Sequence, residues 1–267
     1  MANNRPVARN GALPAGQSLG HAYEADDLAQ EFRDYAYIVS HDLGTPVRLM
    51  VEFARLLAER QSAFADEEDR VLLGEIMGNG EKLRAMMQGL LSYSRLNTLA
   101  APHIPVDTQK IAEHCRMVML DKLRPVRGKL TISGLPSLKA DPDQLMQLFN
   151  LLVDNAIKFV TPGVPPEISI TAKGDGGLWL FSVRDNGIGI EEMYRNRIFK
   201  PFQKLHLDDE YPGVGMGLSL ARKIVNLHGG RIWIQESSAT GTLLQFTLCE
   251  GERVDNEEEE VLDEKVD

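Results

Sequence analysis

Apolar residues recur at steps of three and four along the first third of the chain. Phe32, Tyr35, Ala36, Val39, Leu43, Val47, Met50, Ala54 and Leu57 fall on one stripe of a helix that begins near Ala25. A second stripe, Leu72, Ile76, Leu83, Met86, Leu90 and Tyr93, predicts a helix over about 66–97. Asp66, Glu67 and Glu68 suit its start, because side-chain oxygens and negative charge meet the free amides there. Two such helices make a hairpin that cannot bury both of its apolar faces alone, so pairing with a second copy into a four-helix bundle is expected. Ala101-Pro102 and Pro105 end this pattern. Beyond them the sequence predicts a helix near 107–123, a strand near 129–133 and a helix near 141–159. Strands near 167–172 and 178–184 follow, then a Gly-rich turn, a polar loop, a helix at 216–228 and strands near 231–236 and 242–248. The fold class expected is α+β: a long helical hairpin, then an α/β sandwich with helices on one face of a mainly antiparallel sheet.

The ends read differently. Residues 1–24 are rich in Gly, Pro, Asn and Ala at their start and are expected to be disordered. The segment 251–267 holds nine acidic and two basic side chains, a net of −7, and reads as a solvated acidic tail. It carries most of the net charge of −10, leaving a body near −3 with no basic surface for nucleic acid. No apolar run approaches the roughly 18 to 20 residues of a membrane span, and the N-terminal residues lack the apolar core of a secretory signal. Cys115 and Cys249 lie far apart without metal-ligand spacing, consistent with free thiols in a reducing compartment, so a cytoplasmic location is expected. The domains expected are 25–100 for the hairpin and 101–250 for the sandwich.

Four constellations carry candidate chemistry. The first is Ser40-His41-Asp42-Leu43-Gly44-Thr45-Pro46, inside the first long helix. Pro46 bends a helix, and Gly44 costs about 1 kcal/mol relative to Ala there, so the segment is weakened twice beside three polar groups. His41 is a nitrogen nucleophile, Asp42 can fix its tautomer, and Thr45 lies one turn on; a surface His-Asp pair is the alternative. The second is Asn150 and Asn155 with Lys158 and Phe159 on one helix. A carboxamide oxygen suits Mg²⁺ that phosphates also hold, and Lys158 is a point charge for those phosphates; a solvent-facing stripe is the alternative. The third, Asp185-Asn-Gly187-Ile-Gly189, follows an apolar strand. It offers a carboxylate to an exocyclic amine and two glycines beneath a flat ring, or simply a β-turn. The fourth, Gly213-Val-Gly215-Met-Gly217-Leu218, precedes a helix whose N-terminal amides attract anions.

The order and spacing of these pieces resemble the histidine kinases of two-component signalling over roughly residues 30–250. Ile198-Phe199-Lys-Pro201-Phe202 matches the aromatic box that precedes their ATP lid, and the stretch from Ile198 to Gln235 is similar to the kinase module of phytochromes. The resemblance implies that ATP is bound with Asp185 at the adenine amine and Gly187 and Gly189 shaping the pocket. It implies Mg²⁺ between the phosphates and Asn155, with Asn150 and Lys158 nearby, and a lid between Phe202 and Gly213. His41 would take the γ-phosphate with Asp42 as proton partner, Thr45 would serve dephosphorylation, and a response-regulator receiver domain would receive the phosphate. The family's Glu and Arg after the histidine are Asp42 and Gly44 here, which implies a modest kinase rate. No sensor segment precedes the hairpin, so a separate sensor protein or an excised longer chain is expected. A phosphotransfer or phosphatase hub, or a nucleotide-gated scaffold, remains the alternative reading.

Overall fold

The computed structural model describes residues 45, 47–59, 67–98, 102–175, 177–205 and 211–249. The expected disordered start, the helix before Thr45 with His41 and Asp42, the loop at 206–210 and the acidic tail lie outside the described residues.

Helix α1 covers 47–59 and α2 spans Glu67–Thr98. They pack as the hairpin expected, close enough that a Cβ on Gly80 would lie 2.2 Å from Val51 Cγ2. Val47 and Ala54 are buried, whereas Met50, Phe53 and Leu57 of α1 and Leu72, Ile76 and Leu83 of α2 are exposed. Among the described residues, the apolar stripe that the sequence writes is therefore only partly buried.

The second half comprises β1 (Ile104–Asp107), α3 (Thr108–Val118), α4 (Leu120–Leu123), β2 (Lys129–Ser133), β3 (Ser137–Ala140) and α5 (Pro142–Lys158). It continues with β4 (Glu167–Asp175), β5 (Leu178–Arg184), α6 (Gly217–Leu227), β6 (Ile232–Ser238) and β7 (Gly241–Cys249). The sheet has the order β2-β4-β5-β7-β6, antiparallel except for the parallel pair β2 and β4. Strands β1 and β3, too short for an alternating pattern to register, form a separate antiparallel pair that the sequence reading did not anticipate. The expected helix near 107–123 is divided at Met119 into α3 and α4.

Helix α5 starts where Asp141 accepts hydrogen bonds from the amides of Asp143 and Gln144, with Pro142 in the first turn, where a missing N–H costs nothing. One face, Leu145, Leu148, Phe149, Leu152, Val153 and Ala156, is buried against the sheet. Phe149 meets Phe181 at 6.3 Å and Phe181 stacks on Phe246 at 4.9 Å between centroids. Each of these rings is fully buried and contributes roughly 1.5–3 kcal/mol. Among the described residues no helix is long and apolar enough to cross a membrane.

His228 ties the ends of α5 and α6 together. Its Nδ1 lies 2.9 Å from the Ile224 carbonyl and its Nε2 accepts from the Asp141 amide at 3.1 Å, so the neutral ring fits with its proton on Nδ1. Burial, and next the charge of the stacked His103, push its pKa below 6.5, against the Ile224 carbonyl and Asp141, which raise it. A lowered folded value means that protonation favours the unfolded chain. The contribution is complete above about pH 6.5 and is lost as pH falls through the lowered value. Melting temperature should therefore drop between pH 7.5 and 5.5, and the drop should shrink in His228→Gln; equal pH slopes in the two proteins would refute this.

Candidate functional site

A cavity of about 370 Å³ opens between α5, α6 and the ends of the central strands. Its walls are apolar, with Leu152, Val183, Ile190, Ile234 and Leu244 among them, and a few polar groups converge at two ends. A wider, open hollow of about 520 Å³ borders Lys129, Glu167, Arg184 and Glu236, but its charges are mixed and Arg184 pairs with Glu236 at 3.4 Å. The enclosed cavity is the better site.

At one end stands Asp185, the residue that follows the end of β5. Its Oδ1 accepts from the amides of Gly187 at 2.8 Å and Thr242 at 3.1 Å. Burial raises its pKa, while the two amides and Arg184 pull it back. A carboxylate held this way is an acceptor for an exocyclic amine. Gly189 follows in the left-handed region at φ 78°, where an added Cβ would sit 1.9 Å from the Ser238 carbonyl oxygen. Gly187 does not line the cavity; it lets the turn close on Phe159, whose carbonyl accepts from Ile188.

At the other end, α6 begins at Gly217 with no side chain capping it, so its first amides remain available to an anion. Gly213, Gly215, Gly217 and Leu218 all line the cavity there. Facing them from α5 are Asp154, Asn155 and Lys158, with Phe159 behind. Asn155 Nδ2 is buried with no hydrogen-bond partner, a state that costs about 1–3 kcal/mol until a ligand satisfies it. Lys158 lies 4.5 Å over the Phe159 ring, and Tyr211 meets that ring at 5.2 Å. Burial, then the charge of Lys204, lowers the Lys158 pKa.

Two further expected site residues stand elsewhere. Asn150 does not line the cavity, because five residues on a helix turn it about 140° from Asn155; its Oδ1 is buried outside without a partner. Phe202 is exposed at φ 60° and also lies off the cavity, whereas Phe199 of the same box is buried. Thr45 is exposed on the hairpin, and His41 and Asp42 lie outside the described residues. The sequence reading missed Leu151, Gln203, Lys204, Leu205 and Met216, all of which line the cavity. For Lys204 a cue existed in its place just after the aromatic box.

The oxygen donors present fit Mg²⁺ only as an ion that arrives on phosphate. Asn155 offers one amide oxygen, Asp154 Oδ1 is paired with Lys122, and no group of three His, Cys, Asp or Glu converges among the described residues.

The hairpin touches this site. Gly89 of α2 packs on Met216, the residue before α6, where an added Cβ would lie 2.7 Å from Met216 Cγ. Lys223 of α6 donates to the Tyr93 carbonyl at 2.6 Å and lies 4.0 Å over the Tyr93 ring.

Residues 140–252 match the family described as histidine kinase-, DNA gyrase B- and HSP90-like ATPase. This segment belongs to that family. The ATPase domain and the hairpin together resemble cyanobacterial phytochrome A of Nostoc sp., 34% identical over 240 residues, which cover 86% of this chain and 31% of the phytochrome. Phytochrome-like protein Cph1 of Synechocystis sp. is 31% identical over 235 residues, 84% of this chain and 31% of Cph1. The chain thus spans about a third of the length of these curated relatives. Among solved structures, full-length ShkA in complex with AMPPNP is 25% identical with a TM-score of 0.59, over 80% of this chain and 45% of ShkA. Histidine kinase ThkA in complex with response regulator TrrA shares the fold at 20% identity and a TM-score of 0.59, over 86% of this chain and 66% of that one. The expected likeness to phytochrome-type histidine kinases is borne out, as is the fold class.

Asp185→Asn keeps an amide-accepting oxygen but loses the charge. It should weaken adenine-nucleotide binding by about tenfold or more in calorimetry, in line with about 1.5–3 kcal/mol for a hydrogen bond to a charged group. Unchanged affinity would remove Asp185 from the site.

Proposed function

We propose that the chain is the autophosphorylating core of a histidine kinase, using ATP to phosphorylate His41 and passing the phosphate to an aspartate of a response-regulator receiver domain. The observation that carries this reading is the contact of Gly89 with Met216, since it sets the glycine-rich lip of the nucleotide cleft against the helical hairpin. The complexes of ShkA with AMPPNP and of ThkA with a response regulator support the two ligand classes.

In this mechanism Asp185 holds the adenine amine and the α6 amides with Lys158 hold the phosphates. Mg²⁺, touched by Asn155, would add charge neutralisation on the phosphates. An imidazole nitrogen of His41 attacks the γ-phosphorus, the bond to the ADP oxygen breaks, and Asp42 takes or orients the proton on the other ring nitrogen. Positioning and neutralised charge supply most of the rate. Thr45, four residues beyond His41 in sequence and exposed, would orient water for dephosphorylation of the regulator. The domains of this reading are 25–100 and 101–250, and its compartment is the cytoplasm. A second reading, a phosphotransfer or phosphatase hub with little kinase activity, is favoured by Gly44, which removes a positive charge beside the histidine.

The exposed stripe of Met50, Phe53, Leu57, Leu72, Ile76 and Leu83 supports a homodimer through the hairpin. Light scattering should give a dimer at micromolar concentration and Phe53→Glu should shift it to monomer; a monomeric parent protein would refute the assembly.

Incubation with γ-labelled ATP should yield acid-labile label on the protein, lost in His41→Ala with nucleotide affinity retained within about threefold. Label that survives the substitution would overturn the phosphoacceptor, and nucleotide binding without label would select the hub.

A further inference from the structure

The sequence pairs Asn155 with Asn150, but the fold pairs it with a hydrocarbon. A Cβ built on Gly217 would lie 3.5 Å from Asn155 Nδ2, 3.6 Å from Asn155 Oδ1 and 3.8 Å from Leu151 Cδ2. Leu151 and Asn155, one helical turn apart, therefore lie side by side beneath the first residue of α6, where phosphate oxygens would meet the amides. The position best placed to add a second oxygen ligand beside Asn155 is occupied by a side chain with no donor atom.

Resting on the reading that this cleft binds ATP, we propose that Lys158, Lys204 and the α6 amides carry phosphate affinity here, and that a divalent cation adds little to it because Leu151 displaces a second oxygen ligand. Mg²⁺ keeps near-octahedral coordination and gives up water reluctantly, so its gain from a protein depends on how many oxygens the protein offers. Among the described residues, Asn155 offers one neutral amide at the phosphate end. Asp154 is engaged with Lys122, and Asp185 stands at the adenine end, its Oδ1 bonded to two amides.

The positive charges point the same way. Lys158 and Lys204 line one cleft, and Lys82 of α2 is near enough to Lys204 to lower its pKa further, after burial. Cations crowded in this way attract the full negative charge of a triphosphate, and a bound Mg²⁺ cancels part of that charge before the lysines meet it. Metal would still serve the transfer step, so binding and turnover separate in their need for it.

Calorimetric titration of the full chain with AMPPNP, once with Mg²⁺ and once with EDTA, tests this. Affinities within about threefold of each other are expected. Leu151→Asn should bind AMPPNP about tenfold more tightly with Mg²⁺ than with EDTA, whereas Lys204→Ala should weaken metal-free binding about tenfold. A loss of tenfold or more on adding EDTA to the parent protein would overturn the proposal, whether the missing ligand came from Asp208, Asp209 or Glu210 or from elsewhere. Metal-free binding unaffected by Lys204→Ala would overturn the role given to that lysine. Leu151 packs against the core, so the parent comparison and Lys204→Ala decide the matter if Leu151→Asn does not fold. Absence of AMPPNP binding in both buffers, with the melting transition intact, would instead overturn the nucleotide reading itself.

Discussion

The packing of α5 on the sheet is the constraint from which the rest follows. Phe149, tilted against Phe181, and Phe246, stacked on Phe181, form a continuous buried aromatic cluster that fixes both the depth and the rotation of α5. With Leu145, Leu148, Leu152 and Val153 turned into the core, the next face around the helix, with Leu151, Asn155 and Lys158, is left for the cleft. Helix α6 rests on α5, so the distance between their facing residues is set by the same core. The cleft is thus held open by apolar packing, which does not depend on whether a ligand is present.

Electrostatics act within that frame. The cleft is polarised along its length, with a buried carboxylate at Asp185 and two lysines beside an uncapped helix start. Asp185 is kept usable as an acceptor by two backbone amides that oppose the effect of its burial. The lysines oppose each other instead, and a bound polyphosphate would relieve both.

Coupling between hairpin and cleft runs through small, specific contacts. Gly89 gives α2 the notch in which Met216 sits, and Met216 is at once a wall of the cleft and the residue from which α6 departs. Lys223 adds a charge-assisted bond to the Tyr93 carbonyl two turns further along α6. Motion of α2 would therefore be felt at the lip of the cleft, through a side chain that is flexible enough to yield.

The sequence alone determined the hairpin, five of the seven strands, α5 and α6, because periods of two and of about 3.6 residues are local properties of the chain. It also determined Asp185, Asn155, Lys158 and the glycine-rich lip, since strand ends and helix starts announce the groups they deliver. What it left to the tertiary structure were relations between elements. Strands β1 and β3 exist only by pairing with each other across some thirty residues, and four-residue segments carry no period of their own. Asn150 and Leu151 differ by one position in sequence, and only the rotation of α5 on its aromatic core decided which of them faces the cleft. Lys204 and Met216 joined the site because a loop and a helix start were folded against α5, a long-range contact that no local pattern encodes.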